Sequence, residues 1–254
     1  MIQKNKSPGS HGFTLIELAI VLFIVSLLLG GLLMPYATSV EQREREDTAE
    51  ILEDIKEALY GHALVNGYLP CPDCETGQAC AAGTPDDGIE DRNGNLCSVT
   101  LSAQNTYTGN LPWATLGVPQ FDAWEKPFTY SVTNTFSNDA VPFTLTDTGT
   151  IDILDQDAAA TARIAQGIPA IVVSHGKDHY VPAQSADQVE NYERNANIFG
   201  TTNSILTAYS GDNAGEFVFT DYRLLGGNID YDDMMIWISP FVLKNRMIAA
   251  GQLP

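Results

Sequence analysis

Apolar positions run almost unbroken from Phe13 to Pro35, interrupted by Thr14, Glu17, Ser26 and the pair Gly30-Gly31. A helix over that stretch rises about 34 Å, enough to cross a bilayer. Beyond the glycine pair and Pro35, which weaken or kink a helix, the pattern turns amphipathic. Ile51, Ile55 and Leu59 recur at i, i+4 and i+8, with Ala58 and His62 nearby and charged residues on the other face. That period predicts continued helix, so residues 13–66 read as one long element that Gly67 and Pro70 terminate. His62, on the apolar stripe, reads as a packed or hydrogen-bonded side chain rather than a ligand.

After residue 67 the period changes to short alternating or apolar runs between turn signals. The segments 127–133, 143–149, 170–175, 216–222 and 234–239 are rich in aromatic and β-branched residues, the composition of strands. Residues 155–166 and 240–250 read as helices. The predicted class is therefore α+β: a long N-terminal helix packed on a mainly antiparallel sheet. Residues 67–254 form one head, with no repeat or linker to divide it.

Charge gives the pattern a direction. Residues 1–12 carry Lys4 and Lys6 and no acid, whereas the whole chain has 32 acidic against 13 basic residues, a net charge of −19. Positive charge before a span and an acidic chain after it place the head outside the cytoplasm. The same excess of acid argues against nucleic acid as a partner, since phosphate binding needs a basic footprint. The end of the apolar run offers no small-residue cleavage site of the secretory kind. Glu17 then demands an explanation, because a carboxylate at bilayer depth is costly and marks a functional position.

The hexapeptide Gly12-Phe13-Thr14-Leu15-Ile16-Glu17 resembles the leader junction of type IV pilins and type II secretion pseudopilins. The resemblance implies that residues 1–12 are a leader, cut between Gly12 and Phe13 by a prepilin peptidase that also methylates the Phe13 amine. It implies that the apolar helix stays in the mature chain and drives assembly with other pilin or pseudopilin subunits. Cleavage leaves a cationic amine at Phe13. Pairing it with Glu17 of a neighbouring subunit would neutralise two charges that lipid penalises separately. The alternative is a signal anchor whose Glu17 only snorkels to the interface. Within the head, Phe121-Asp122-Ala123-Trp124-Glu125-Lys126-Pro127-Phe128-Thr129-Tyr130 is similar to the Asp-Pro-Trp-Gly-x-Pro-Tyr-x-Tyr stretch of the major pseudopilin, with Ala123 in place of the proline and Glu125 in place of the glycine. Ser174-His175-Gly176-Lys177-Asp178 is similar to its later Ser-x-Gly-x-Asp segment.

Four cysteines, Cys71, Cys74, Cys80 and Cys97, cluster at the start of the head. Their spacing lacks the second C-x2-C of a zinc knuckle, and an exported head favours oxidation over zinc. The expected pairing is Cys71–Cys97 with Cys74–Cys80 nested inside it. Between Cys80 and Cys97, Asp87, Glu90, Asp91, Asn93 and Asn95 offer alternating oxygen donors. They are either a calcium site or a solvated acidic turn, and the missing twelfth-position glutamate rules out an EF-hand. Ser174-His175 lacks the glycine of a nucleophile elbow, His175 and His179 follow a strand end rather than sharing a helical face, and Asp232-Asp233 reads as a strand boundary.

No complete catalytic constellation emerges. The expectation is a non-enzymatic structural subunit of a type IV pilus-like filament, a minor pilin or pilin-like protein. It would sit in the inner membrane by a single span, head in the periplasm, before joining a periplasmic or cell-surface filament through the assembly machinery. A type II secretion pseudopilin is the alternative within that class. A membrane-anchored extracytoplasmic enzyme or binding module is the alternative from another.

Overall fold

The structure, a computed structural model, describes residues 14–102, 105–154, 163–177, 216–218, 223–225 and 228–253. The Gly12–Phe13 junction, residues 155–162 of an expected helix, residues 219–222 of an expected strand and His179 lie outside them. Helix α1 spans Leu15–Asn66 and ends at Gly67, which takes φ +86° and donates its N–H to the Ala63 carbonyl at 2.8 Å. The left-handed conformation suits glycine and stops the helix. The chain divides into two compact units, Met1–Arg45 and Glu46–Pro254.

In the first unit the described side chains from Leu15 to Leu28 are all exposed, Leu15 at 87 % and Phe23 at 67 %. An uncovered apolar surface of this length is of the kind that marks interaction sites. Ser26 turns its hydroxyl inward onto the Leu22 and Phe23 carbonyls at 2.8 and 2.9 Å, which keeps the surface free of an unpaired donor. Among the described residues no helix is long and apolar enough to cross a membrane.

The second unit is layered. Short strands β1 (Arg92–Asn93) and β2 (Leu96–Cys97) form a hairpin in the cysteine loop. Strands β3 (Thr106–Asn110) and β4 (Thr129–Thr133) flank helices α2 (Trp113–Leu116) and, after β4, α3 (Asn134–Ser137). There follow β5 (Ile151–Leu154), β6 (Arg163–Ile168), β7 (Ala170–Ser174), β8 (Glu216–Val218), β9 (Arg223–Leu225), β10 (Asn228–Tyr231) and β11 (Met234–Trp237), then helix α4 (Pro240–Ala249). The main sheet has the order β11-β7-β4-β3, antiparallel throughout. A second sheet has the order β6-β5-β8, in which β5 and β8 run parallel.

Period-2 alternation explains how both faces of the main sheet become buried. Tyr130, Val132, Ala170 and Val172 join Leu52, Ile55, Leu59, Tyr60 and Ala63 of α1 in one core cluster. Ile171, Val173 and Met235, on the opposite face, join Ile151, Ile153 and Ile168 of the second sheet. The helix, the main sheet and the second sheet are thus three layers with two apolar seams. On β4 the second face is polar, and its hydroxyls satisfy one another: Ser131 with Thr108 at 2.7 Å and Thr133 with Thr150 at 3.3 Å.

Helix α4 closes the helical side. Leu243 and Met247 enter the α1 core, and Arg246 makes a bidentate pair with Glu57 at 2.7 and 2.9 Å while lying 4.3 Å over the Tyr60 ring. Gln252 donates to the Leu64 carbonyl at 3.0 Å.

Two expected elements are corrected. Residues 143–149 are not a strand: the Thr144 N–H and hydroxyl both donate to Asp147, closing a local turn, and Lys244 binds the Leu145 and Asp147 carbonyls. Such short-range bonds offer the backbone an alternative to a ladder. Residues 163–166 are not helical: they open β6, which pairs antiparallel with β5, and Gly167 at φ +64° donates to Asp152 Oδ1 at 3.0 Å.

Candidate functional site

The N-terminal end of α1 is held by a reciprocal pair. Thr14 donates its N–H and its hydroxyl to Glu17 Oε2 at 2.9 and 2.7 Å, and the Glu17 N–H reaches the Thr14 hydroxyl at 3.3 Å. This is a capping box, in which a Thr and the Glu three positions on satisfy donors that the first helical turn leaves open. The expectation that Glu17 awaits a neighbour's amine therefore needs an addition: the carboxylate already has a partner on its own chain. Both bonds end on Oε2. The signal, T-x-x-E, stands within the junction motif, and reading Glu17 only as an assembly residue hides it.

The cysteine loop, at the start of the head, is built by two disulfides. Cys71 joins Cys97 with Cα atoms 5.2 Å apart, and Cys74 joins Cys80 with Cα atoms 6.4 Å apart. No cysteine remains free, so no thiolate is left to ligate zinc. The loop's carboxylates serve its own backbone. Glu90 accepts the Cys71 N–H at 3.0 Å and pairs with Arg92 at 2.9 Å. Asp91 accepts the Cys74 N–H at 2.9 Å, and Asp87 the Ile89 N–H at 2.8 Å. Asn93 and Asn95 lie exposed in the β1–β2 hairpin. Among the described residues no group of three His, Cys, Asp or Glu side chains is placed to hold a metal ion.

Asp73 was not singled out by any motif. It is fully buried, donates its backbone N–H to the Asn110 carbonyl and accepts the Asn110 N–H in return, and takes the Gly88 N–H on Oδ2 at 2.9 Å. Burial pushes its carboxyl up to about 7, and the neighbouring Asp91, Asp87 and Asp86 add to the shift. Glu75 is pushed up to about 7, again first by burial and then by Asp86 and Asp73. Nothing in the spacing of Asp73 signals this, because its partners come from β3 and from the loop around Gly88.

Ser174 donates its hydroxyl to Asp122 Oδ2 at 2.6 Å, and His175 Nε2 meets the Thr129 hydroxyl at 2.8 Å, so serine and histidine face different partners and form no nucleophile–base couple. Asp232 is buried and accepts the Lys177 N–H at 2.8 Å. Asp122 organises the turn at 121–127: Oδ1 accepts the Trp124 and Lys126 N–H groups at 2.9 and 2.8 Å. Within that turn Glu125 adopts φ +60°, the left-handed region, at the position where the resembling stretch carries glycine. A side chain there costs about 1–2 kcal/mol, partly offset by the entropy glycine would lose. Glu125→Gly is accordingly expected to stabilise the head by about 0.5–1 kcal/mol, read as a higher melting temperature by circular dichroism. An unchanged or lower value would contradict the strain.

Residues 8–33 match the family model described as the prokaryotic N-terminal methylation motif. The match ends before the head begins. No curated protein and no solved structure matches the chain.

Proposed function

We propose, from a chain that carries the prepilin-type N-terminal methylation motif, that it is a structural subunit of a type IV pilus-like filament, a minor pilin or pilin-like protein. Prepilin peptidase cleaves between Gly12 and Phe13 and methylates the new amine. Before assembly the apolar stretch 13–35 anchors the subunit in the inner membrane with the head in the periplasm, and assembly moves that same surface from lipid onto neighbouring subunits. The observation that carries the reading is the motif over residues 8–33 running into a capped helix whose described apolar side chains lie uncovered. Motif and surface serve one purpose: a retained helix must leave lipid for a filament without exposing unpaired charge.

Glu17 supplies the pairing. With Oε2 committed to Thr14, Oε1 faces the incoming N-methylated amine of another subunit. The role is structural rather than catalytic, since the Ser174, His175 and Asp122 groups are tied up inside the head. A second reading, a type II secretion pseudopilin, draws support from the Asp122-centred turn and the left-handed Glu125 at the glycine position of the resembling stretch.

Intact-mass and N-terminal peptide spectrometry of the purified mature chain tests the proposal. The first residue should be Phe13 carrying one methyl group. A chain beginning at Met1, or beyond residue 35, would rule the reading out.

A further inference from the structure

Between the cysteine loop and the end of β3 the head holds a cavity of about 130 Å³, far more than a single water needs. Trp113, Phe121 and Phe128 wall it, and Asp73, Asp86, Asn110 and Gln120 supply its polar groups. Asp73 has no exposed surface. Its Oδ2 is taken by the Gly88 N–H, and its Oδ1 has no hydrogen-bond partner in the protein. A buried acceptor left unmade costs about 1–3 kcal/mol, more for a charged group. The carboxylate beside it is engaged: Asp86 Oδ1 takes Asn110 Nδ2 at 2.8 Å, and its Oδ2 takes the Thr76 hydroxyl.

The cavity is built rather than incidental. Asp86 holds φ +61° and Gly88 φ +75°, and a Cβ at residue 88 would lie 2.2 Å from Trp113 Cε2. Glycine is therefore required to bring the loop onto the indole and to aim the backbone N–H at Asp73. The loop is further clasped by the Ala114 and Thr115 N–H groups, which both donate to the Gly88 carbonyl.

The chemistry selects the ligand. Calcium takes six to eight oxygens, several of them from carboxylates, and the described residues gather no group of three His, Cys, Asp or Glu side chains that could hold a metal. An ammonium group brings three donors, which Asp73 Oδ1 and the amide oxygens of Asn110 and Gln120 in the same lining can accept, gains from a desolvated carboxylate and is attracted to aromatic faces. Burial and the adjacent carboxylates push the Asp73 carboxyl up to about 7, and a cation at Oδ1 would act against both by favouring the charged form.

We propose that this cavity receives the primary ammonium end of an alkyl chain, paired with Asp73 Oδ1 and flanked by Trp113 and Phe121. The ammonium belongs either to a free alkylamine or to a lysine side chain of a partner protein. The site lies wholly in the head and goes beyond the assembly role of the N-terminal helix.

Calorimetric titration of the purified full-length chain in detergent micelles at pH 8 tests it. The probes are butylammonium chloride, N-acetyl-lysine methylamide and uncharged 1-butanol. The expected result is saturable one-to-one binding of butylammonium, none of butanol, and at least a tenfold loss in Asp73→Asn. Phe121 is an exposed side chain, so Phe121→Ala keeps the fold and should weaken binding about threefold. Lysine methylamide binding at least as tightly as butylammonium identifies a partner's side chain as the source, whereas tighter butylammonium binding identifies a free amine. Absence of binding by both cations overturns the proposal, as does equal binding of butanol or undiminished affinity in a folded Asp73→Asn. If Asp73→Asn loses the fold, Phe121→Ala decides, and unchanged affinity there overturns it too.

Discussion

Glu17→Ala should be exported, fold its head with both disulfides and remain in the membrane fraction, yet enter filaments at least tenfold less than wild type. The substitution removes a charge that lipid penalises, so insertion becomes easier. It also removes the capping box with Thr14, at about 1 kcal/mol, a loss that a 52-residue helix absorbs by fraying at its end. What assembly loses is larger: stripping one member from an ion pair in a water-poor setting costs about 3–5 kcal/mol. Two further variants separate the roles. Glu17→Gln keeps an acceptor for the Thr14 N–H but no charge, and should assemble as poorly as the alanine variant. Thr14→Ala removes the cap and keeps the charge, and should assemble nearly as wild type. Sheared filaments compared with membranes by immunoblot provide the readout. Normal incorporation of Glu17→Gln would make the carboxylate a helix cap and nothing more.

The two disulfides should contribute unequally. Cross-linking stabilises mainly by restricting the unfolded chain, and the effect grows with the logarithm of the loop. Cys71–Cys97 closes 26 positions and Cys74–Cys80 only 6, which gives about 3.5 and about 2 kcal/mol respectively. The double variant Cys71→Ala/Cys97→Ala should therefore melt about 7–14 °C below wild type, and Cys74→Ala/Cys80→Ala about 4–8 °C below. Cys71 and Cys74 are buried among Leu69, Val99 and Leu111, so each replacement also leaves a small cavity, which moves both values the same way. Scanning calorimetry of the detergent-solubilised chain measures both. A larger loss from the inner pair would show that local packing, not loop closure, dominates here.

Periodicity exposed the parts of the fold that carry strong patterns. The long helix, β4, β7, β11 and α4 stand where alternation or helical spacing places them, because each buries a clean apolar face. β3 escaped because Thr106-Tyr107-Thr108-Gly109-Asn110 is a polar strand whose hydroxyls are satisfied only by neighbours such as Ser131. β6 departs from the helical expectation because the alanine-rich sequence before it carries helix propensity, while pairing with β5 decides the outcome. At the N-terminal end, Gly12, Phe13 and Glu17 are legible as a motif, and the Thr14 cap is written in the same residues. The Asp73 cavity was not legible at all. Its groups come from residues 73, 86, 110, 113, 121 and 128, and no linear pattern records that these meet.

The embrace between α4 and α1 has a consequence in time. Arg246 and Glu57 are 189 positions apart, and synthesis adds about 5–20 residues per second. For about 10–40 s, then, the stripe of Leu52, Ile55, Leu59 and Ala63 exists without the helix that completes its cover. Each newborn chain passes through an interval in which its own half-built core is a sticky surface. Keeping that surface from other chains during the interval is as much a demand of this architecture as any bond in the finished molecule.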